Sequence, residues 1–132
     1  MSVKIIRESD VRAQPLPGRT LAWIIRPETV GAERMSVAIM HCPAGSIVRP
    51  MHAHRAIEET LYILAGAGEA WVDGSTAPFQ AGDAVFFPAD SRHQVRNTGA
   101  GELATLSIFS GVTGPESYVS YEEDAFGGGS AR

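Results

Sequence analysis

The sequence predicts an all-β fold, a sandwich or barrel in one domain, and three observations predict it. No segment sustains the 3.6-residue hydrophobic period of a helix. Short runs of strand-forming residues recur instead at intervals of roughly 8 to 12 residues, punctuated by Gly and Pro. Asp73-Gly74, between two such runs, is a strong signal for a two-residue hairpin. The absence of an internal repeat makes this one barrel and not two. With 132 residues, 44% hydrophobic and 20% charged, the chain can build a real core and is not a disordered segment.

Taken in order, Val3 to Ile6 reads as a short edge strand and Gln14 to Gly18 as a Pro/Gly turn. Thr20 to Ile25 is a strand with Leu21, Trp23 and Ile25 on one face, broken by Pro27 to Gly31. Met35 to His41 alternates Met35, Val37, Ile39 and His41 with Ser36, Ala38 and Met40, which groups His41 with apolar residues that can face inward. Pro43 to Gly45 turns the chain. Glu59, Leu61 and Ile63 then share a face of a strand that Gly66 and Gly68 end. Gly68 to Asp73 is the next strand. Pro78 to Ala81 leads into a continuous, buried-type run at Ala84 to Phe87. Asn97 to Glu102 turns again, Leu103 to Ser110 is a strand, and Ser117 to Tyr121 is one more. The folded domain is expected over residues 1–126. The tail 127–132, Gly-Gly-Gly-Ser-Ala-Arg, is flexible by composition.

Composition excludes several functions. A formal net charge of −4 offers no basic excess to meet phosphates, so nucleic acid is not an expected partner. Lys4 is the only lysine, which argues against Schiff-base catalysis. Cys42 is the only cysteine, so no internal disulfide forms. The N-terminus lacks a signal-peptide layout and no run approaches a membrane span. A cytoplasmic protein without membrane partners is the expectation.

Three of the four histidines fall in two stretches. His52 and His54 lie two residues apart, so a strand points both the same way. Glu59 is five residues past His54, an odd offset, so the chain must turn or bulge around Arg55 to Ile57 before Glu59 can join them. Glu58 is the alternative acid, and the spacing to Gly66 favours Glu59. The second stretch, Gly82 to Asn97, supplies His93 after a turn at Pro88. Neutral imidazoles with one carboxylate suit Fe, Mn, Co, Ni, Cu or Zn without a thiolate. Asp90, Ser91 and His93 hold the residue types of a hydrolytic triad, but adjacency in one turn is not triad geometry.

Together the two stretches resemble the paired motifs of the cupin superfamily. His52, His54, Glu59 and Gly66 fill the first motif, with Gly45 one residue further upstream than usual. Gly82, Pro88, His93 and Asn97 fill the second, with Asp90 in place of the family's inner glycine. Asp tolerates the left-handed backbone region better than most residues, so the turn can survive. The resemblance implies a double-stranded β-helix, or jelly-roll, barrel. It also implies one divalent metal ion held by His52, His54, Glu59 and His93, and activities such as dioxygenase, isomerase, decarboxylase or lyase on small oxygenated molecules. A non-catalytic ligand binder and a relic site are the alternatives. Four ligands on an octahedral ion leave two open positions, and the sequence reading leans toward a dioxygenase.

Beyond the four ligands, His41 and Asn97 are the polar candidates to orient a ligand or meet substrate, with Thr105 and Ser107 behind them. Cys42 is expected to be a buried, inert thiol. Strand parity turns Arg49 and Arg96 outward. Trp23, Trp71, Phe86, Phe87 and Phe109 are assigned to the core. A homodimer is expected, pairing exposed edges such as Val3 to Ile6.

Overall fold

The strands run as β1 Gln14–Leu16, β2 Arg19–Ile25, β3 Ser36–Cys42, β4 Met51–His54, β5 Glu59–Ala65, β6 Ala67–Val72, β7 Ser75–Gln80, β8 Ala84–Phe87, β9 His93–Asn97, β10 Leu103–Phe109 and β11 Tyr118–Tyr121. This computed structural model describes residues 2–127, so 128–132 of the expected tail lie outside the described residues. The strands form two antiparallel sheets, ordered β1-β2-β3-β10-β5-β8 and β11-β4-β9-β6-β7. From β3 onward nearly every connection crosses from one sheet to the other, the winding of a jelly roll. No helix among the described residues is long and apolar enough to cross a membrane.

Alternation fills the space between the sheets. Leu103, Thr105, Ser107 and Phe109 of β10 point inward, as do Glu59, Leu61 and Ile63 of β5. Leu103 pairs with Cys42, and Thr105 with Ile63, so one end of the barrel is plugged by apolar side chains with no exposure. At the other end Phe109 pairs with both Ser36 and Glu59. The site lies toward that end.

Several expected elements differ. Val3 to Ile6 forms no strand, and Val3 and Ile5 are largely exposed. The sheet edge it would have joined is taken by β1, built from residues expected only to turn; the turn itself narrows to Pro17-Gly18. Ala84–Phe87 is a strand but not a buried one. It lies at the other edge of that sheet, and only Phe87 is buried while Phe86 is 53% exposed. β7 is the second arm of the hairpin that Asp73-Gly74 signals, pairing Val72 with Ser75. It is an edge strand, where Pro78 costs no ladder bond. Gly68 is the second residue of β6, and it is glycine there because a Cβ would collide with the Arg96 carbonyl and the Phe79 ring.

Asn97 is not part of the site. Its side chain is buried and holds loops together: Nδ2 donates toward the carbonyls of Cys42 (3.0 Å), Pro43 (3.0 Å) and Gly101 (2.9 Å), and Oδ1 accepts from the Gly99 N–H (2.8 Å). The Asn97 backbone N–H donates to Ser46. The amide thus joins the exit of β3 to the loop between β9 and β10. Truncation would strand several buried polar groups. Asn97→Ala is expected to lower unfolding stability by about 2–3 kcal/mol while leaving metal content unchanged. Denaturant titration checks the first part, and a loss below a few tenths of a kcal/mol would contradict it.

Candidate metal centre

Register brings the histidines together. His52 of β4 pairs directly with His93 of β9, and His54 pairs with Tyr118 of β11. These three come from one sheet. Glu59 opens β5 in the other sheet and reaches in from the opposite side. The potential donor atoms of His52, His54 and His93 lie within 4.8 Å of one another, a group that could hold a metal ion. Glu59 Oε1 is 3.4 Å from Nε2 of both His54 and His93.

Two turns set this geometry. The chain turns after His54 through Ala56, at φ 58°, which corrects the parity so that Glu59 faces the histidines. Asp90 takes the left-handed conformation, φ 67°, at the position of the family's glycine. Its carboxylate accepts the Ala56 N–H at 3.1 Å, and its own N–H donates to the His54 carbonyl at 3.0 Å. The aspartate therefore ties the turn after one histidine pair to the turn before the third histidine twice, and the side-chain bond is the one that glycine could not make. Glu58 remains exposed and is not among the residues that line the site.

Hydrogen bonds fix two tautomers. His52 Nδ1 lies 2.9 Å from the Pro50 carbonyl, and His93 Nδ1 lies 3.2 Å from the Ser91 carbonyl. A carbonyl only accepts, so each Nδ1 carries the proton and each Nε2 keeps its lone pair. Aromatic rings brace all three imidazoles. Phe87 stacks on His93 with centroids 4.1 Å apart, Tyr118 on His52 at 5.0 Å, and Phe109 meets His54 edge-on at 5.0 Å.

His54 Nε2, His93 Nε2 and Glu59 Oε1 are buried and have no hydrogen-bond partner among the described residues. At 3.4 Å the contacts between them are long, and neither counts as a hydrogen bond. A convergent set of unpartnered donor atoms of this chemistry fits a divalent metal ion. Burial, then the neighbouring His93, pushes the His52 pKa down to about 3, so its ring is neutral, as a ligand must be. Burial alone would raise the Glu59 pKa; the His54 and His93 rings facing it outweigh that and hold it below its ordinary value.

The other expected residues separate. His41 lies outside the barrel, where Nε2 meets Glu8 at 2.7 Å and Nδ1 meets Glu102 at 3.2 Å. Burial lowers its pKa, but the two carboxylates outweigh this and raise it. The inward face of β3 is the other parity, Ser36, Ala38, Met40 and Cys42. Burial pushes the Cys42 thiol up to about 11, as expected of an inert group. Ser107 lines the cavity, and Thr105 is buried deeper with an unpartnered hydroxyl. Arg96 pairs with Glu69 on the outside. Arg49 reaches the cavity wall, against the outward expectation, and pairs with Asp124. Trp23 and Phe109 line the cavity and do not simply fill the core.

Above the histidines the barrel opens into a cavity of about 520 Å³. Sequence reasoning missed several of its polar residues, Arg26, Gln94, Thr113, Arg19 and Tyr118 among them. Arg19 shares strand parity with Leu21 and Trp23, but a strand begun at Thr20 omits it. Tyr118 opens β11, whose facing was left unassigned.

Comparison with known proteins agrees with this picture. The family model described as a cupin domain matches residues 38–109. The polyketide synthase CurC of Streptomyces cyaneus is 33% identical over 101 residues, 75% of this chain and 64% of that protein, so the chain spans less than two thirds of that relative's length. The oxalate-binding protein of Thermotoga maritima is 32% identical over 88 residues, 67% of this chain and 72% of that protein. The solved structure of a predicted oxalate decarboxylase from Thermotoga maritima superposes with a TM-score of 0.72 at 26% identity, covering 82% of this chain and 99% of that one. The extent of the family match, the jelly-roll winding and the clustered histidines lead to one conclusion: the chain belongs to the cupin family.

Proposed function

We propose that this cupin holds one divalent transition-metal ion through His52, His54, His93 and Glu59 and acts there on a small oxygenated molecule. What carries the reading is the convergence of buried, unpartnered atoms: His54 Nε2, His93 Nε2 and Glu59 Oε1. Such an ion supplies Lewis-acid polarisation of adjacent substrate oxygens, from which oxygen-dependent cleavage and non-oxidative rearrangement both begin. The protein's part is positioning and exclusion of water. Proton-bearing Nδ1 atoms on His52 and His93 keep those rings oriented, and Glu59 contributes the one negative charge. Leu61, Val95 and Phe87 line the cavity near the site with apolar surface, which strengthens any charge interaction there.

We favour oxygen-dependent cleavage. The support is what lines the cavity: apart from the four proposed ligands, the ionisable groups among the described residues are three arginines and Tyr118. None is a general base of ordinary type near neutral pH, the group that proton-moving isomerisation or lyase chemistry commonly uses. The alternative, a non-oxidative decarboxylase or a ligand-binding protein, draws its support from the oxalate-binding relative.

A homodimer belongs to the same reading. Its support is an exposed apolar strip on the outer face of β5, β8 and β10, where Tyr62, Leu64, Phe86 and Ile108 lie. Light scattering at high protein concentration is expected to return a dimer mass that Phe86→Glu reduces to the monomer; a monomer mass for the unaltered protein would rule the dimer out.

Protein purified without added metal is expected to carry close to one ion per chain, and His54→Ala to lose most of it, by element analysis. Full metal content in that variant would refute the ligand assignment. Each metal form can then be assayed on hydroxy-carbonyl, diketone and sugar-acid compounds with and without oxygen. Turnover is expected to require oxygen; undiminished anaerobic turnover would favour the isomerase or lyase alternative. If no form shows turnover or metal-dependent binding, both the enzyme and the binder readings fail.

A further inference from the structure

Three arginines line the cavity, and two of them are neutralised. Arg26 lies 3.5 Å from Glu28 and also donates to the carbonyl and hydroxyl of Thr113. Arg49 pairs with Asp124. Arg19 has no carboxylate at ion-pair distance among the described residues. Its Nη1 donates to the carbonyls of Pro17 (2.9 Å) and Arg49 (2.6 Å). Those acceptors orient the guanidinium without cancelling its charge. Burial lowers its pKa, only partly offset by Tyr118 and more distant groups, so this cation is held in a poorly solvated place. A desolvated charge without a counter-ion is costly to the fold. Where such a charge borders a cavity, a bound anion can meet that cost.

The position of Arg19 ties it to the candidate metal centre. Tyr118 lies between them: its ring stacks on His52 and its hydroxyl adjoins Arg19. Backbone geometry fixes the approach. Gly18, at φ 81°, packs against the Ile47 carbonyl so closely that no side chain could replace it, and the next residue is delivered into the cavity.

Most of the remaining wall is apolar, with Leu21, Trp23, Met40, Val48, Phe109 and Pro115 as its main surfaces beside a few uncharged polar side chains. At about 520 Å³ the cavity falls in the range of sites for ring-bearing molecules, about 300–1,000 Å³. It is far larger than a two-carbon dianion needs, given that one water occupies about 30 Å³.

We propose that the ligand is an aromatic acid: its apolar rings lie against Trp23 and Phe109, its chelating oxygens face the His52, His54 and His93 group, and its carboxylate or ionised phenol is held by Arg19. The placement of the chelating oxygens rests on the metal reading above; the anion anchor does not.

The test uses calorimetry with a dihydroxynaphthoate bearing its catechol and its carboxylate on opposite rings, beside the matching neutral carboxamide. Both are titrated into zinc-loaded and metal-stripped protein. The unaltered protein is expected to prefer the carboxylate by about ten- to a hundredfold, the range of a charge-assisted hydrogen bond. Arg19→Gln is expected to erase that preference, and Arg19→Lys to restore part of it. Because the preference is a ratio within one protein, a partial loss of stability does not mimic its loss. No preference in the unaltered protein, a preference that survives in Arg19→Gln, or no binding of either compound overturns the proposal. An Arg19-dependent preference that ignores zinc leaves the anchor standing and removes the metal reading. Zinc-dependent binding without a preference does the reverse.

Discussion

A carboxylate buried among imidazoles is the constraint on which the rest of this barrel depends. Glu59 is 6% exposed, and its Oε1 makes no hydrogen bond among the described residues. In apolar surroundings an ionised carboxylate costs several kcal/mol unless opposite charge or hydrogen bonds compensate it. Two imidazole rings facing it at 3.4 Å outweigh that cost and hold its pKa below the ordinary value, but only while the three groups stay together. The sheets therefore have to keep the acid and the rings in place. They do so by pairing Glu59 with Phe109 on one side and Phe87 on the other. Those same two rings brace His54 and His93. The acid and two of the histidines are thus fixed by the same aromatic side chains, and none can move without the others.

The turns carry the second half of that constraint. A strand alternates faces without exception, so His54 and Glu59 can converge only if the chain breaks its parity between them. Ala56 does this in the left-handed region, a costly conformation for a residue with a Cβ. Its N–H is held by Asp90, itself left-handed. Two strained residues from distant parts of the chain thereby support each other. This explains why an aspartate serves where the family pattern has glycine: the side chain returns in bonding what its Cβ costs in strain.

Much of this was legible in the sequence because it depends on parity and on turn residues. The shared face of His52 and His54, the shared face of Glu59, Leu61 and Ile63, and the need for a turn near Arg55 to Ile57 follow from local rules, the left-handed Asp90 from its place at the family's glycine, and the structure places them so. What was not legible depends on which strand becomes an edge. Val3 to Ile6 has strand composition but no edge to join. Ala84–Phe87 has core composition but lies at an edge. Parity alone also cannot say which of two faces looks inward. On β3 both sets are largely apolar, and the inward face went to the smaller residues, leaving His41 outside between two acids. Asn97 shows a related limit. A buried amide inside a motif looks chemical from the sequence, yet it is consumed by the carbonyls of Cys42 and Pro43, far away in the chain, and of Gly101 close by.

The two sheets divide the cavity between them, and this division limits what can bind productively. The histidines and Tyr118 come from one sheet; Leu21, Trp23, Met40 and Phe109 come from the other. Glu59 is the one acid projecting from this mainly apolar sheet, and Arg19 is its counterpart of opposite charge on β2 of the same sheet. A molecule entering this space meets a polar floor on one side, an apolar wall on the other, and one negative and one positive charge on the apolar side. A ligand that is polar throughout would leave the wall uncovered, and one that is apolar throughout would strand the buried polar atoms. Only a molecule with its own polar edge and apolar face satisfies both sheets at once, and it can do so in few orientations. Orientation is thus set by the alternation of side chains along strands, the same rule that folded the barrel.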